Sequence, residues 1–480
     1  MKFLIKKVKP GWVAGILCGV LFIFLLGVRV GFFRNETPRP SAVKKISEKE
    51  TWMNIFQQNQ KIGYAHRHFA PRDNGYSLSE SAYMRINTMG MVQDIHIRTK
   101  GNLHSDFTLA SFDFDLRSSL FHFKTRGRLE GTTLTIFIGE QKVEIPIDSD
   151  LYLTAGILDA AWASGLELNQ ARTFFVFDPA TMGQQPVRVT LVGTEVLEIM
   201  GRQQKTKKVS LDFMGVSQTA WIGEGGSVVA EEGFLGITIK RVSKSEALSG
   251  LDVTASRDLT EVVSVPSNVP IGRADELTRL RLKITGINDR VFLSGGRQMF
   301  ENGILTILKE DLLSLSGFSV SEQKRFLKPT PFIQSNHPHI KNTVSEVVSP
   351  GDSPVTKVQK LVAWVYENIE KRPVLSVPNA LETLERRMGD CNEHAVLLAA
   401  LARAAGIPAQ VEAGLVYMKG RFYYHAWNVL CLGRWVTADA LMGQMPADVT
   451  HIRFVRGEPR QQIDLMGVIG KVKLEILMTS

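Results

Sequence analysis

Cys391, His425 and Asp439 stand in an order and a setting that suit a nucleophile, a base and an orienting acid. A thiol near neutral pH attacks a carbonyl well only as thiolate, and an imidazole steadied by a carboxylate both draws off the proton and balances the charge. The chemistry implied is acyl transfer to sulfur. The thiol lies in Gly389-Asp390-Cys391-Asn392-Glu393-His394-Ala395 and the imidazole in His425-Ala426-Trp427. The rest of the chain offers no comparably complete set.

These residues need elements to hold them. Asp390 and Glu393 have the spacing of a capping box, which predicts a helix opening at Cys391. It continues through the apolar run Ala395–Ala402 and stops at Ala405-Gly406, with Pro408 beyond. Apolar residues on every side predict burial on every side, and a buried helix holds its first residue rigidly. The positive helix end favours thiolate, and its free amides can face a developing oxyanion. His425 belongs to a strand-like run, Arg421–Leu430, with Arg434–Asp439 as its predicted hairpin partner. A three-residue loop, Cys431-Leu432-Gly433 with Gly433 left-handed, sets His425 directly opposite Asp439. A two-residue loop puts them on opposite faces.

Cys391, His394, His425 and Asp439 also make a four-ligand set. Structural zinc sites carry closely spaced ligand pairs on both sides, and this sequence has one, so no metal or other cofactor is expected. His394 and Glu393 read as structural supports, Trp427 and Tyr424 as packing residues, and His451 has no assigned role. Three cysteines exclude a disulfide-built fold, and Cys18 lies in an apolar run near the start. Cys391 and Cys431 are left as a pair that an oxidising compartment could join, which would silence the nucleophile.

The run Leu381–Asp439 resembles the core of the transglutaminase-like superfamily, a papain-like cysteine acyl-transfer fold, in its membrane-anchored bacterial envelope form. The motifs are Gly389–Ala395, Arg403-Ala404-Ala405-Gly406-Ile407-Pro408-Ala409 and His425-Ala426-Trp427. The likeness extends to Val355–Glu370 upstream and Gln444–His451 downstream, roughly a third of the chain. It implies a Cys391, His425, Asp439 triad working through a thioester. Val429 and Ala440-Leu441 depart from the residues many relatives carry, on the substrate side of the site.

At the other end, Gly11–Val28 is an uncharged apolar run, about 27 Å long as a helix, close to a bilayer core. Lys2, Lys6, Lys7 and Lys9 precede it and Arg29 and Arg34 follow, predicting a cytoplasmic N-terminus and a periplasmic or other extracytoplasmic bulk. A signal peptide is the competing reading. The first 34 residues carry six of the nine net positive charges, so the remainder is near neutral and nucleic acid is not an expected partner.

The expected fold class is α+β: a transmembrane helix, a large mostly antiparallel β domain and a papain-like core. The expected divisions are 1–34 basic tail and anchor, 35–50 linker, 51–263 β-rich domain, 264–340 connecting region and 341–480 catalytic domain. Alternation at Phe112, Phe114 and Leu116, and at Leu134, Ile136 and Ile138, marks the β region. It reads as a spacer or docking lobe, with lipid handling as the lesser alternative. The function expected is a membrane-anchored extracytoplasmic cysteine enzyme cutting amide or isopeptide bonds of protein or peptide, with hydrolysis favoured. Protein-glutamine cross-linking and a non-catalytic envelope scaffold are the alternatives, and envelope proteins are compatible partners.

Overall fold

The computed structural model describes residues 46–480 apart from 89, 214–215, 234–235, 251–257, 314, 316–319, 375 and 459–461. The chain from Lys49 to Val242 builds one fifteen-stranded sheet. Its first eight strands, from Lys49–Gln57 to Gln141–Pro146, step outward as an antiparallel meander, and Ile237–Val242 returns to pair with Lys49–Gln57. Burial alternates along the strands: at His122–Glu130, Phe123, Thr125 and Gly127 are covered while their neighbours are exposed. Such alternation gives the sheet one covered face.

That face is covered partly by the sheet itself. Phe112 and Phe177 lie on strands far apart in the sheet order, yet their rings stand 5.2 Å apart. A Cβ at Gly101 would meet the end of the Leu153 side chain at 2.7 Å, so the bare backbone at this position gives that side chain its room. The short helix Ile157–Ala163 enters the same interior, where Asp159 is 1% exposed and pairs with Arg67 and, at 3.4 Å, with Lys49.

A second core begins near Val265. Arg421–Cys431 is its central strand, flanked by Ala409–Met418 on one side and by Val265–Pro266 and Trp435–Ala438 on the other. The helix Cys391–Ala404 packs across this sheet, and Pro338–Val347, Pro354–Asn368 and Ala380–Arg386 pack against that helix. Lys473–Thr479 joins a four-stranded sheet with Arg279–Thr285, Ile304–Leu308 and Gln298–Glu301, tying the C-terminal strand to the preceding region. Residues Lys44–Ser480 form one compact unit. Gln93 donates to the Pro373 carbonyl at 3.2 Å and Arg386 to that of Leu120 at 2.8 Å, linking large sheet and core.

The expected fold class needs correction. The described chain is mostly β rather than α+β, and among the described residues no helix is long and apolar enough to cross a membrane. The longest of them, Pro354–Asn368, has 15 residues and carries Lys357 and Lys360. That is about 22 Å of helix against roughly 30 Å of hydrocarbon. The Gly11–Val28 run lies outside the described residues. The single-pass location rested on that run and is not supported.

Candidate active site

The helix that carries the thiol starts where its sequence says it should. Asp390 caps it, accepting from the Asn392 amide at 3.0 Å, and Glu393 reaches back to the Asp390 amide at 3.0 Å. Gly389 makes this possible, because a Cβ there would stand 2.3 Å from the Glu393 Cβ. Ser376 donates to the other Glu393 oxygen at 2.5 Å. Glu393 through Arg403 are buried, which fixes the helix from all sides. Cys391 itself is partly exposed. The Asn428 side chain donates to the Ala395 carbonyl at 2.8 Å, pinning the helix to the strand that bears His425.

On that strand the Ala426 amide donates to the Cys391 sulfur. Burial, then the negative charge of Asp390, pushes the thiol well above its ordinary range, and the Ala426 amide works the other way. The helix end works in the same direction as the Ala426 amide, toward thiolate. Asp390 is itself raised well above the usual carboxyl range by burial and by Glu393, so this pair keeps a proton to higher pH than separate carboxylates do. A thiol shifted in this direction needs a base to take its proton before it can act on a carbonyl.

His425 and Asp439 meet, though by a different register from the expected one. The loop is three residues long, but it is Leu432-Gly433-Arg434, one position later, with Cys431 opposite Trp435 and Gly433 at φ 91°. The pairing runs Leu430 to Val436 and Asn428 to Ala438, which sets Asp439 diagonal to His425. A slip of two positions keeps both side chains on one face. His425 Nε2 donates to Asp439 Oδ2 at 2.6 Å, with both residues buried. That fixes the proton on Nε2 and leaves a lone pair on Nδ1.

Asp439 is held by more than His425. Its Oδ1 accepts from the amides of Leu441 and Met442 at 2.8 and 3.0 Å, and Oδ2 also accepts from His451 Nε2 at 3.0 Å. Burial alone would raise its carboxyl, but His425 and then His451 overcome this and hold it well below the usual range. The turn that follows Asp439 packs on the Pro354–Asn368 helix: Gly443 sits at φ 67°, where a Cβ would stand 2.8 Å from the Tyr366 ring.

His451, which the sequence left unassigned, is thus part of the cluster. Its ring is fully buried, with Nδ1 3.2 Å from Asp448 Oδ1. The signal available was local: Asp448-Val449-Thr450-His451 places a histidine and an aspartate inside an apolar run next to Ile452. His394 places Nδ1 on the Asp390 carbonyl at 2.7 Å, and the charge of Asp439 reaches it. Trp427 packs in the core and donates to Glu412 at 2.9 Å.

His425, Asp439 and His451 form a group whose donor atoms lie within 4.8 Å of one another. They are in direct hydrogen-bond contact at 2.6 and 3.0 Å, closer than ligands sit around a shared ion at roughly 2.0 Å from each. Cys431 does not join the site. It is buried at the strand end, with its amide on the Pro408 carbonyl, beyond the far end of the 14-residue helix that Cys391 opens. That helix is about 21 Å long, and both thiols are free.

The sequence model of the transglutaminase-like superfamily matches residues 341–440. No curated protein matches the chain. Among solved structures, the periplasmic domain of TgpA from Pseudomonas aeruginosa is similar at 15% identity and a TM-score of 0.23, over 36% of this chain and 89% of that one. A beta-barrel-like protein of the DUF1849 family from Brucella abortus is similar at 9% identity and a TM-score of 0.33, over 42% of this chain and 98% of that one. Overlaps at these scores carry no argument about activity. The family match coincides with the capped cysteine helix and the strand that bears the histidine, so residues 341–440 are similar to a transglutaminase-like core.

Proposed function

We propose that this protein is a cysteine enzyme that opens amide or isopeptide bonds of proteins or peptides through a thioester on Cys391, with water favoured over an amine as acceptor. The observation that carries this reading is the buried 2.6 Å His425–Asp439 pair, on the strand whose Ala426 amide contacts a partly exposed thiol at a helix N-terminus. Sulfur attacks the carbonyl carbon while its proton passes to His425 Nδ1. The oxyanion faces the main-chain amide of Cys391. The tetrahedral intermediate collapses as His425 returns the proton to the leaving amine, leaving the acyl group on sulfur. Water then attacks the thioester with His425 as base, an acid is released and the thiol regains its proton. Asp439 keeps His425 in the tautomer this cycle needs.

An amine can resolve the same thioester with the same residues, so the acceptor is what an assay must separate. The large sheet is read as a docking lobe, supported by the Gln93 contact to Pro373, beside the Val374 amide that donates to Asp390. The test offers glutamine peptides to the full chain with and without a labelled amine. Ammonia release without label incorporation supports hydrolysis, and incorporation supports transfer. Release no greater than that of Cys391→Ala would overturn the enzyme reading.

A further inference from the structure

His451 lies where the mechanism above makes no use of it, and its contacts are unusual for a packing residue. Nε2 meets Asp439 Oδ2 at 3.0 Å and Nδ1 meets Asp448 Oδ1 and the Asp448 carbonyl, both at 3.2 Å. A neutral imidazole has one N–H, so one of its two nitrogens would turn a lone pair toward an acceptor oxygen; only the imidazolium donates at both ends. Asp448 is fixed for this purpose by the Thr450 amide at 2.8 Å, the Thr450 hydroxyl at 2.6 Å and Gln444 Nε2 at 3.0 Å. His425 lies 5.7 Å away between ring centres, and Arg297 donates to the His451 and Asp448 carbonyls while its own charge is met by Glu310 at 3.1 Å.

We propose that His451 is a positioning residue that keeps a buried positive charge on Asp439, so that this carboxylate is shared between two imidazoles and does not serve His425 alone. This deepens, and rests on, the enzyme reading given above. One carboxylate oxygen serves two imidazoles, so its charge is divided between them. Undivided, it would hold the proton on His425 more firmly and delay its return to the leaving amine. The geometry of Asp439 does not depend on His451, since His425 and two main-chain amides already fix it. What His451 adds is charge. Burial opposes that charge, but the bonds to Asp439 and then Asp448 overcome it and push the imidazole up to about 9.

The experiment is the rate of Cys391 alkylation by iodoacetamide against pH, read by mass spectrometry on the full chain and on His451→Gln, Asp448→Asn and His425→Ala. His451→Gln keeps a donor for Asp439 and removes the charge. Asp448→Asn keeps the imidazole and removes the partner that holds it protonated, so it serves if the first variant folds poorly. In both variants the acid edge of the profile moves to higher pH by about one unit, roughly a tenfold change in the underlying equilibrium. A structural role would slow the reaction without moving the edge upward. An edge that stays or falls in variants whose labelling still depends on His425 would overturn the role of His451 alone. Labelling unchanged in His425→Ala would remove the enzyme reading, and this inference with it.

Discussion

At the residue scale the account rests on one carboxylate. Asp439 receives four hydrogen bonds, two from main chain and two from imidazoles, and is held well below the usual carboxyl range. Asp439→Asn keeps the shape and removes the charge, allowing the wrong histidine tautomer. We expect peptide turnover to fall by about 10²-fold or more while the thermal transition persists, as measured by ammonia release and calorimetry. Cys391 and His425 were legible because a capping motif and a His-Ala-Trp strand each have a local sequence cause. His451 was not, because the local Asp448-Val449-Thr450-His451 signal marks a polar pair in an apolar setting and does not show that Asp439 meets the same ring from its other side.

At the scale of elements, the helix of Cys391 and the hairpin of His425 set the site. The capping box could be read in advance because all its partners lie within four residues. Asp390→Ala removes both the cap and a carboxyl beside the thiol; a loss of about 1 kcal/mol in denaturant-measured stability is expected. Gly389→Ala should cost more, about 1–3 kcal/mol, because the added methyl group displaces Glu393 and opens the box. The hairpin was misread by two positions. Gly433 was correctly placed in the left-handed region, but the loop takes Arg434 as its last residue, with the Leu432 amide on the Arg434 carbonyl at 2.8 Å. Alternation fixes which face a side chain takes and does not fix how far a partner has slid.

At the scale of the whole molecule, alternation at residues such as Phe112, Phe114, Leu134 and Ile136 foretold strands. It did not foretell fifteen in a single sheet that covers its own face, because contacts such as Phe112 with Phe177 join distant segments. The interior so formed makes stability depend on pH. Burial and then the charge of Glu80 push the Glu231 carboxyl up to about 7, against the opposing Arg67. A raised folded-state value means its contribution is full below the unfolded carboxyl value and is lost as pH rises through about 7. His451 acts in the same sense in a later window, full below about 6.5 and lost through about 9, worth roughly 3 kcal/mol. The melting temperature should therefore decline from about pH 5 to pH 9, as scanned by circular dichroism. Glu231→Gln should flatten the first part of that decline and His451→Gln the second.

The central claim is that Cys391 reacts because His425 takes its proton, and competitive alkylation of the two described thiols in the folded chain tests it most directly. At pH 7 the account predicts Cys391 modified well ahead of buried Cys431, and that lead abolished by His425→Ala. Equal, slow modification of both thiols, or a lead that survives loss of the imidazole, would contradict it.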